Sequence, residues 1–291
     1  MSEQSNIAAR AEVLIEALPY IQKFRGAIIV VKYGGAAMVD DDLKRSVCAD
    51  VALLHYVGMR PVIVHGGGKK ISEVMGRLGL EPTFIEGLRV TDDATMEVAE
   101  MVLVGTIAQD LAAQVQAAGV SSVAISGRDG CVLGACRMAG PNGADLGHVG
   151  EVTEIRPRLI SDLIAAGHIA VISPIGRDEA GAPLNINADH VAGALAVELG
   201  AQKLVTLSDV PGLLRDKDDP STLISTLTAT EARALLESDA VGSGMIPKLH
   251  SCITAVQGGV ERAHMIDGSR PHSLLIELFS EQGIGTMIVG D

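Results

Sequence analysis

Short runs of apolar, mostly β-branched residues recur along the chain, with room for a helix between successive runs. They lie at 27–32, 61–65, 121–126, 168–173, 203–208, 263–267 and 286–289. Each run is apolar throughout rather than alternating between apolar and polar, which is typical of strands buried on both faces. The pattern therefore predicts a mainly parallel sheet at the centre of the molecule.

Helical patterns fill the segments between these runs, at 41–57, 94–118, 188–199 and 245–257. The alternation of strand and helix predicts an α/β fold, a three-layer αβα sandwich around the parallel sheet. Residues 131–155 depart from this pattern, because they contain two strand-like runs joined by a Pro-Asn-Gly turn. We expect an antiparallel β-hairpin there.

The domain organisation follows from a polar, glycine-containing break, GRDEAGAP, at 176–183. Dividing the chain there gives an N-terminal lobe of residues 27–177 and a C-terminal lobe of residues 178–291. Residues 1–26 precede the first strand, and an amphipathic stretch within them predicts a helix outside the core. The helix at 94–118 carries more apolar residues than one buried face needs, which fits either a subunit contact or deep burial.

Composition and charge narrow the classes of partner. The 291 residues are 47% hydrophobic but only 2% aromatic, so the core must consist mainly of aliphatic side chains. A formal net charge of −13 repels nucleic acid and anionic membranes, and we expect neither as a partner. A small anionic substrate would instead need a local positive pocket.

The cysteines and the N-terminus indicate a cytoplasmic protein. The four cysteines form no CxxC pair and lack zinc-ligand spacing, so we expect reduced thiols and no metal held by protein side chains. The N-terminus has no signal-peptide pattern. The most apolar helix is interrupted by four polar residues, Glu97, Glu100, Gln109 and Asp110. We therefore expect no membrane span.

Two glycine-rich turns follow the first two predicted strands, at the end of the sheet where such folds bind ligands. Lys32 precedes Gly34 and Gly35 in the first turn, and His65 precedes Gly66–Gly68 in the second. Exposed backbone N–H groups and a following helix dipole bind phosphate or a developing oxyanion. Either turn alone fits a simple connection equally well, but together they favour an anion site. Neither turn matches a Walker or dinucleotide motif.

Polar side chains in two later segments could face a ligand. Arg89, in GLRVTD, suits bidentate binding of a carboxylate, although a lone loop arginine is more often solvated. Asn185, Asn187 and Asp189 alternate on an extended segment and can share one face. The alternative is that Asp189 or Asn187 alone caps the following helix, but the triple alternation exceeds what a cap needs and favours a binding role.

Two segments near the C-terminus have features of a nucleotide site. Ser208 and Asp209 end an apolar strand just before a Pro-Gly turn. Lys248 lies near the start of a helix, after a Gly-Ser-Gly turn. Positive charge is unfavourable at that helix end unless an anion is nearby.

Together these motifs resemble the amino acid kinase family over residues 8 to the end. The matching stretches are VVKYGGAAM, VIVHGGGKKI, GLRVTD, LNINADHVAGALAVELGAQKLVTLSDVPGLL and GSGMIPKL. GLRVTD with NINAD is most similar to the N-acetyl-L-glutamate kinase branch. The resemblance implies phosphoryl transfer from ATP, with Mg²⁺ bound through the ATP phosphates, to the γ-carboxylate of N-acetyl-L-glutamate in arginine biosynthesis.

The resemblance also implies catalytic roles for individual residues. Lys32 and Lys248 would flank the transferring phosphoryl group, and Asp189 would orient both ammonium groups. Backbone N–H groups of Gly35 and Gly67 would contact the phosphoryl oxygens. No general base is required, because the nucleophile is already a carboxylate, so strand-end packing is the expected role of His65.

The binding residues implied by the resemblance divide between the two lobes. Gly67 and Gly68 would contact the amino acid, Arg89 would bind its α-carboxylate and Asn185 would hold its amide region. Ser208 and Asp209, with Lys32 and Lys248, would lie beside the nucleotide. Lys69 and Lys70 are expected to be solvated helix residues.

Feedback regulation is a further implication of the resemblance. Arginine-inhibited, hexameric members of the family share an N-terminal helix and a C-terminal segment similar to residues 264–288. L-arginine is therefore an expected inhibitor. A homodimer through helix 94–118 and a hexamer through the N-terminal helix are expected too. The candidate effector contacts are Tyr20, Lys203, His264, Glu281 and Gly283.

Three alternatives remain open at this point. The first is another kinase of the same family, acting on glutamate, aspartate, an aminoadipate derivative, carbamate or UMP. The second is a non-catalytic arginine or nucleotide sensor, although Lys32, Asp189 and Lys248 are all present. The third, a nicotinamide-dependent dehydrogenase, is disfavoured because no G-x-G-x-x-G motif occurs.

Overall fold

The structure is a computed structural model that describes residues 3–38, 40–216, 219–238, 241–242, 244–280 and 283–291. Its strands are β1 (Ile28–Tyr33), β2 (Arg60–His65), β3 (Phe84–Ile85), β4 (Leu88–Arg89), β5 (Ser122–Ser126), β6 (Leu133–Ala139), β7 (Asp145–Ile155), β8 (Ile169–Ser173), β9 (Ile175–Arg177), β10 (Pro183–Ile186), β11 (Lys203–Ser208), β12 (Thr226–Thr228), β13 (Arg262–Asp267) and β14 (Thr286–Val289).

The α-helices alternate with these strands, as the sequence predicts. They are α1 (Glu3–Phe24), α2 (Asp41–Tyr56), α3 (Gly68–Arg77), α4 (Asp93–Glu100), α5 (Gln109–Ala117), α6 (Arg158–Ala165), α7 (Ala188–Glu198), α8 (Ala229–Leu236), α9 (Ile246–Gln257) and α10 (Ser273–Phe279). A π-helical stretch, Met101–Ala108, joins α4 and α5 into one continuous helix.

The central sheet has eight strands in the order β12-β14-β13-β11-β1-β2-β8-β5. All neighbouring pairs are parallel except β13 and β14. The seven predicted runs all form strands of this sheet, so the predicted mainly parallel α/β fold is confirmed. The eighth, β12, was not predicted, because a three-residue strand gives too short a pattern to detect.

Alternate side chains of the inner strands pack into opposite helical layers. Ile29 and Val31 of β1 belong to the core shared with α2 and the long helix, whereas Val30 belongs to the core shared with α7 and α9. All three side chains are fully buried. Burying a Val or Ile side chain stabilises the fold by about 1.5–3 kcal/mol. This two-sided burial explains why the strand segments are apolar at every position.

The predicted hairpin at 131–155 is confirmed, because β6 and β7 pair antiparallel across a turn at Pro141–Gly143. With β9 and β10 these strands close a small four-stranded barrel. The polar break at 176–183 includes the turn between β9 and β10, which pair antiparallel. After β10 the chain continues through α7 to β11, in the half of the sheet that contains β11, β12, β13 and β14. The division into two lobes stays a prediction.

The helix from Asp93 to Ala117 is long and apolar enough to cross a membrane, by length and composition alone. Half of its apolar window is buried inside the protein, and Val98, Leu103 and Leu111 belong to the hydrophobic core. A core helix of a soluble protein meets the same criterion, and we assign this helix to the core. Met101, on its outer face, is 51% exposed.

The N-terminal helix α1 contacts the core at its C-terminal end. Its last residue, Phe24, is buried in the core, and the helix packs against α10. Ile15 and Leu18, by contrast, are 67% and 43% exposed. Large exposed apolar side chains on one helix indicate a surface that can be covered by another molecule.

Candidate active site

The two glycine-rich turns meet at the carboxyl ends of β1 and β2, because these strands are parallel neighbours. Tyr33 and His65 stand side by side at the strand ends, and the Gly66 N–H donates to the Tyr33 carbonyl at 2.8 Å. A cleft of about 860 Å³ opens there. Its walls include Lys32, Gly34, Gly35, Gly66, Gly67, Gly68, Arg89, Asn185 and Asp189.

A buried carboxylate pairs with two lysines at the floor of this cleft. Asp189 Oδ1 lies 3.0 Å from Lys32 Nζ, and Asp189 Oδ2 lies 3.8 Å from Lys248 Nζ. Lys32 comes from β1, Asp189 from the first turn of α7 and Lys248 from the first turn of α9. The sequence therefore identified three residues, distant along the chain, that the fold brings into contact.

The local structure of α7 leaves the Asp189 carboxylate available to the lysines. Asn187 is the N-cap, because its side-chain oxygen accepts from the Asp189 N–H at 2.8 Å. The Ser251 hydroxyl donates to the Asp189 carbonyl at 2.6 Å and ties α9 to α7. The alternative in which Asp189 itself caps the helix is therefore not what this structure contains.

The three charged groups carry a net positive charge in a largely dry environment. Lys32 and Asp189 are 6% and 5% exposed. Burial lowers the pKa of Lys248, and the neighbouring Lys32 lowers it too, while Asp189 opposes both effects. Buried charge is costly unless it is compensated, so one carboxylate facing two ammonium groups creates a site that favours an additional anion.

Glycine is required in both turns by close approach. Gly35 has φ +74°, and a Cβ atom there would overlap the Asp209 carboxylate. A Cβ atom on Gly67 would come within 2.6 Å of Ile107 Cδ1 and equally close to Leu103. Leu103 and Ile107 belong to the π-helical stretch, so that part of the helix lies directly under the second turn.

Arg89 enters the cleft from β4 and is not a freely solvated side chain. Its Nη2 donates to the Gly68 carbonyl and to Ser72 Oγ, both at 2.8 Å. Burial lowers its pKa. Asn185 also faces the cleft, and its Nδ2 lies 3.4 Å from Thr91 Oγ1.

His65 is fully buried and holds the second turn to the neighbouring strand. Its Nδ1 donates to the Gly66 carbonyl at 2.8 Å, and its Nε2 lies 3.0 Å from Ser173 Oγ. Burial lowers the pKa of His65 to about 4, so the ring is neutral at physiological pH. A neutral, fully buried ring agrees with the predicted packing role.

The predicted nucleotide residues lie on the other side of β1. Ser208 and Asp209 end β11, and the Val210 N–H donates to Ser208 Oγ at 3.2 Å. Among the described residues that line the 860 Å³ cleft, Ser208, Asp209 and Lys248 are not included. Lys248 nevertheless lies beside the cleft, because its Nζ is 3.8 Å from Oδ2 of Asp189, which lines it.

Lys69 agrees with the expectation of a solvated helix residue, because its side chain is 69% exposed. It also lines the cleft, where its Nζ lies 3.4 Å from Asp209 Oδ2. Lys70 is less exposed, at 41%, and pairs with Glu73 on the same helix.

A second charged cluster contains Lys203, His264 and Glu277. Lys203 Nζ lies 3.3 Å from His264 Nε2, and His264 Nδ1 lies 2.6 Å from Glu277 Oε1. Lys203 starts β11 and Ser208 ends it, which separates this cluster from the nucleotide residues by roughly 16 Å at 3.3 Å per residue. Glu277 is not among the effector residues predicted from the sequence, because nothing in the apolar segment SLLIELF marks its carboxylate as buried.

The ionisation of this second cluster follows from its contacts. Burial lowers the pKa of His264, so a neutral ring donates through Nδ1 and accepts from Lys203. Burial would raise the pKa of Glu277, but hydrogen bonds from His264, Ile284 N–H and Gly285 N–H outweigh it and lower that pKa. Burial also lowers the pKa of Lys203, to about 8.

The other candidate effector residues are placed unequally around the cluster. Gly283 lies against it, since a Cβ atom there would stand 2.8 Å from Glu277 Oε2. Tyr20 of α1 packs against the core, and Lys203 Nζ lies 4.7 Å from the centre of the Phe24 ring at the end of the same helix. Glu281 lies outside the described residues.

Comparison with known proteins agrees with this architecture. A profile of the amino acid kinase family matches residues 27–267. An acetylglutamate kinase of Symbiobacterium thermophilum is 50% identical over 285 residues, which cover 96% of this chain and 97% of that protein.

Two solved structures of N-acetylglutamate synthase from Neisseria gonorrhoeae share the fold. The complex with coenzyme A and N-acetyl-glutamate is 30% identical with a TM-score of 0.85. The complex with coenzyme A and L-arginine is 29% identical with a TM-score of 0.81. Both alignments cover 97% of this chain, but only 63% and 65% of the synthase chains. On the family match and the identity over nearly its whole length, the chain belongs to the amino acid kinase family, within its acetylglutamate kinases.

Proposed function

We propose that this phosphotransferase of arginine biosynthesis moves the γ-phosphoryl group of ATP to the γ-carboxylate of N-acetyl-L-glutamate, giving N-acetyl-L-glutamyl 5-phosphate. The observation that carries the proposal is Asp189 in contact with both Lys32 and Lys248, beside two glycine turns. Transfer between two anions depends on positioning and charge neutralisation rather than on covalent chemistry. A buried cluster with excess positive charge supplies that neutralisation.

Each part of the site has a separate task in this reaction. Lys32 and Lys248 flank the phosphoryl group during its transfer, and Asp189 keeps their ammonium groups apart and oriented. Backbone N–H groups of Gly35 and Gly67 donate to the phosphoryl oxygens. No general base is needed, because the attacking γ-carboxylate is already ionised.

The substrate and the nucleotide approach from opposite sides of β1. Arg89 binds the α-carboxylate of N-acetyl-L-glutamate, Asn185 holds its amide region, and Gly67 and Gly68 contact the same molecule. Ser208 and Asp209 contact the nucleotide. The placement of the two ligands is supported by the turns of the central sheet, because Gly67 and Gly68 follow β2 on one side of β1 and Ser208 ends β11 on the other.

Mg²⁺ would enter this site as part of the nucleotide. Within the part of the chain that the structure describes, no group of three His, Cys, Asp or Glu side chains could hold a metal ion. Asp189 is already engaged by two lysines. The donor set therefore fits a cation that the ATP phosphates coordinate, where it screens their charge.

The test is ADP release by the purified protein with Mg-ATP and N-acetyl-L-glutamate. Free glutamate, aspartate, an N-acetylated aminoadipate, carbamate and UMP serve as competing acceptors. Turnover with N-acetyl-L-glutamate alone supports the proposal. Turnover with another acceptor only would assign the chain to a different specificity, and binding of ATP without turnover of any acceptor would favour a sensor.

We further propose that L-arginine inhibits the enzyme by binding at the cluster of Lys203, His264 and Glu277. The Glu277 carboxylate suits a guanidinium group, and the Lys203 ammonium suits an α-carboxylate. The solved N-acetylglutamate synthase complex with L-arginine has the same fold, which supports an arginine site on this scaffold. Adding arginine to the ADP-release assay, at fixed substrate, tests this; unchanged turnover at saturating arginine would refute it.

We also propose a cytoplasmic homohexamer. Dimers would form through the outer face of helix 93–117, where Met101 is exposed, and α1 would join dimers through Ile15 and Leu18. Light scattering of the purified protein measures the assembly. Replacing Ile15 and Leu18 together by Glu should reduce a hexamer to dimers, and a hexamer that survives would remove α1 from the interface.

A further inference from the structure

The guanidinium of Arg89 is held entirely by uncharged groups. Its Nη2 donates to the Gly68 carbonyl and Ser72 Oγ, and its Nη1 lies 3.6 Å from Met75 Sδ. Its carbon Cζ lies 4.7 Å from the centre of the Phe84 ring. Among the described residues, no carboxylate pairs with it, so its positive charge remains available for a ligand. These contacts use both N–H groups of Nη2 and one of Nη1. The Nε–H and the second Nη1–H are left for that ligand, and they point in different directions.

Within the described residues, backbone hydrogen bonds anchor the hairpin that carries Arg89 only at its C-terminal end, where the Thr91 N–H donates to the Leu146 carbonyl at 3.0 Å and the His148 N–H donates to the Thr91 carbonyl at 2.6 Å. Strands β3 and β4 have two residues each and form a separate sheet that pairs with no other strand of the described chain. The turn between them uses positive φ at both Glu86 (47°) and Gly87 (82°). Isolated two-stranded hairpins are marginally stable on their own. The contacts between Arg89 and α3 are therefore well placed to fix the hairpin over the cleft.

Phe84 and Arg89 are direct cross-strand partners in this hairpin. The ring is 51% exposed, so burial in the core does not explain its presence. An aromatic face beside a guanidinium attracts it electrostatically and limits the orientations that it can adopt. The ring thus covers one face of the guanidinium, while Ser72 and Gly68 accept hydrogen bonds from its Nη2.

We propose that Phe84 and Ser72 are positioning residues that hold the uncompensated positive charge of Arg89, with its remaining N–H donors, toward the α-carboxylate of the acidic substrate. The inference rests on the proposed role of Arg89 as the substrate clamp. The Gly68 carbonyl, bound by the same Nη2, adjoins the second glycine turn. The clamp and the turn are therefore aligned by one hydrogen-bonded group.

The decisive variants are Phe84→Leu and Ser72→Ala. Phe84→Leu should raise the KM for N-acetyl-L-glutamate about 2- to 5-fold, the value of a partly exposed cation–π contact. Ser72→Ala should raise it roughly 10-fold, because the lost hydrogen bond involves a charged group. The KM for ATP and kcat should change less than twofold. Phe84→Tyr should restore the wild-type KM, since it keeps an aromatic face.

A double-mutant cycle with Arg89→Ala separates positioning from direct contact. Because Phe84 acts through Arg89, adding Phe84→Leu to Arg89→Ala should cause no further rise in KM. A further rise would mean that the ring contacts the substrate itself and would overturn the inference. Leu78→Ala is the matched control, because Leu78 is 58% exposed at the end of α3 and is not among the described residues that contact the Arg89 guanidinium.

Calorimetric binding of N-acetyl-L-glutamate to each variant makes the result independent of turnover. If the wild type binds no N-acetyl-L-glutamate, the proposed function fails first, and this inference fails with it. If Arg89→Ala weakens binding while Phe84→Leu and Ser72→Ala do not, only the positioning inference is wrong. Weakened binding in all three, with unchanged thermal stability, supports both.

Discussion

The two charged clusters of this protein are both buried, but they are balanced differently. At the cleft, one carboxylate, Asp189, faces two ammonium groups, and the surplus charge borders an open space. At the other end of β11, Lys203, His264 and Glu277 form a chain of donors and acceptors in which each partner satisfies the next. The first arrangement is prepared for an anion. The second is closed on itself, so a ligand must compete with existing hydrogen bonds.

This difference fits the different tasks proposed for the two sites. A catalytic site gains most from charge that is fixed before the substrate arrives, because nothing then has to reorganise during the reaction. A regulatory site needs two states of similar free energy, which a satisfied network allows, since the ligand replaces contacts rather than only adding them. The predictions below test this contrast, beginning with the largest expected effect.

Lys32→Met should produce the largest loss. Removing one of the two cations leaves Asp189 paired only with Lys248 at 3.8 Å and removes charge that acts mainly in the transition state. We expect kcat to fall about 100- to 1,000-fold, with a much smaller change in either KM. Steady-state kinetics measure this, with the exposed Lys23→Met as the control. Equal losses in kcat and substrate affinity would show that Lys32 mainly binds the ground state.

Glu277→Gln should abolish most of the response to arginine while leaving turnover in its absence within about twofold of the wild type. The amide keeps the size of the side chain but removes the charge that would pair with a guanidinium, and such hydrogen bonds contribute about 1.5–3 kcal/mol. Inhibition curves measured at fixed substrate provide the readout. Normal inhibition in this variant would place the effector elsewhere.

Gly35→Ala and Gly283→Ala form a matched pair. Both glycines have positive φ, +74° and +59°, and at both a carboxylate oxygen occupies the space that a Cβ would fill. Alanine costs about 1 kcal/mol in such a conformation, before the contact with the carboxylate is considered. We expect Gly35→Ala to lower kcat and Gly283→Ala to weaken arginine inhibition. If Gly35→Ala instead weakened arginine inhibition and Gly283→Ala lowered kcat, the tasks proposed for the two clusters would be wrong.

The smallest effect concerns the pH dependence of stability. Burial lowers the pKa of Lys203 from 10.5 in the unfolded chain to about 8, so the unfolded state binds more protons between these values. Stability should therefore rise as pH increases from 8 towards 10.5, on the order of 2 kcal/mol in all. Lys203→Met should flatten that rise. Urea unfolding at pH 7, 8, 9 and 10 measures it, and equal slopes for both proteins would disprove the argument.

Much of the fold could be predicted because the central strands are buried on both faces. Each inner strand is a continuous apolar run, and all seven runs form strands of the observed sheet. The exceptions have physical causes. Three residues of β12 are too few to show a pattern, and no sequence signal marks the π-helical stretch at Met101–Ala108, which is defined by backbone geometry.

The candidate site was predictable to the extent that it uses special residue types at strand ends. Glycines beside Lys32 and the alternating polar residues before α7 are visible without a structure. Glu277 and Phe84 could not be found in the same way, because their neighbours arrive from distant segments or across a hairpin. The contact between Lys69 and Asp209 was not predicted for a related reason, since the two residues lie 140 positions apart.

The position of β1 in the sheet has a mechanical consequence. The pair of β1 and β11 is the only ladder in the described sheet that joins the strands of the first half to those of the second. A rotation of one half against the other would use this ladder as its axis. Lys32 lies on that axis and Asp209 directly follows β11, so both would move little, whereas Arg89, on the separate β3–β4 hairpin, lies farther from the axis. Such a rotation would therefore change the width of the cleft more at Arg89 than at the cluster of Lys32 and Asp189.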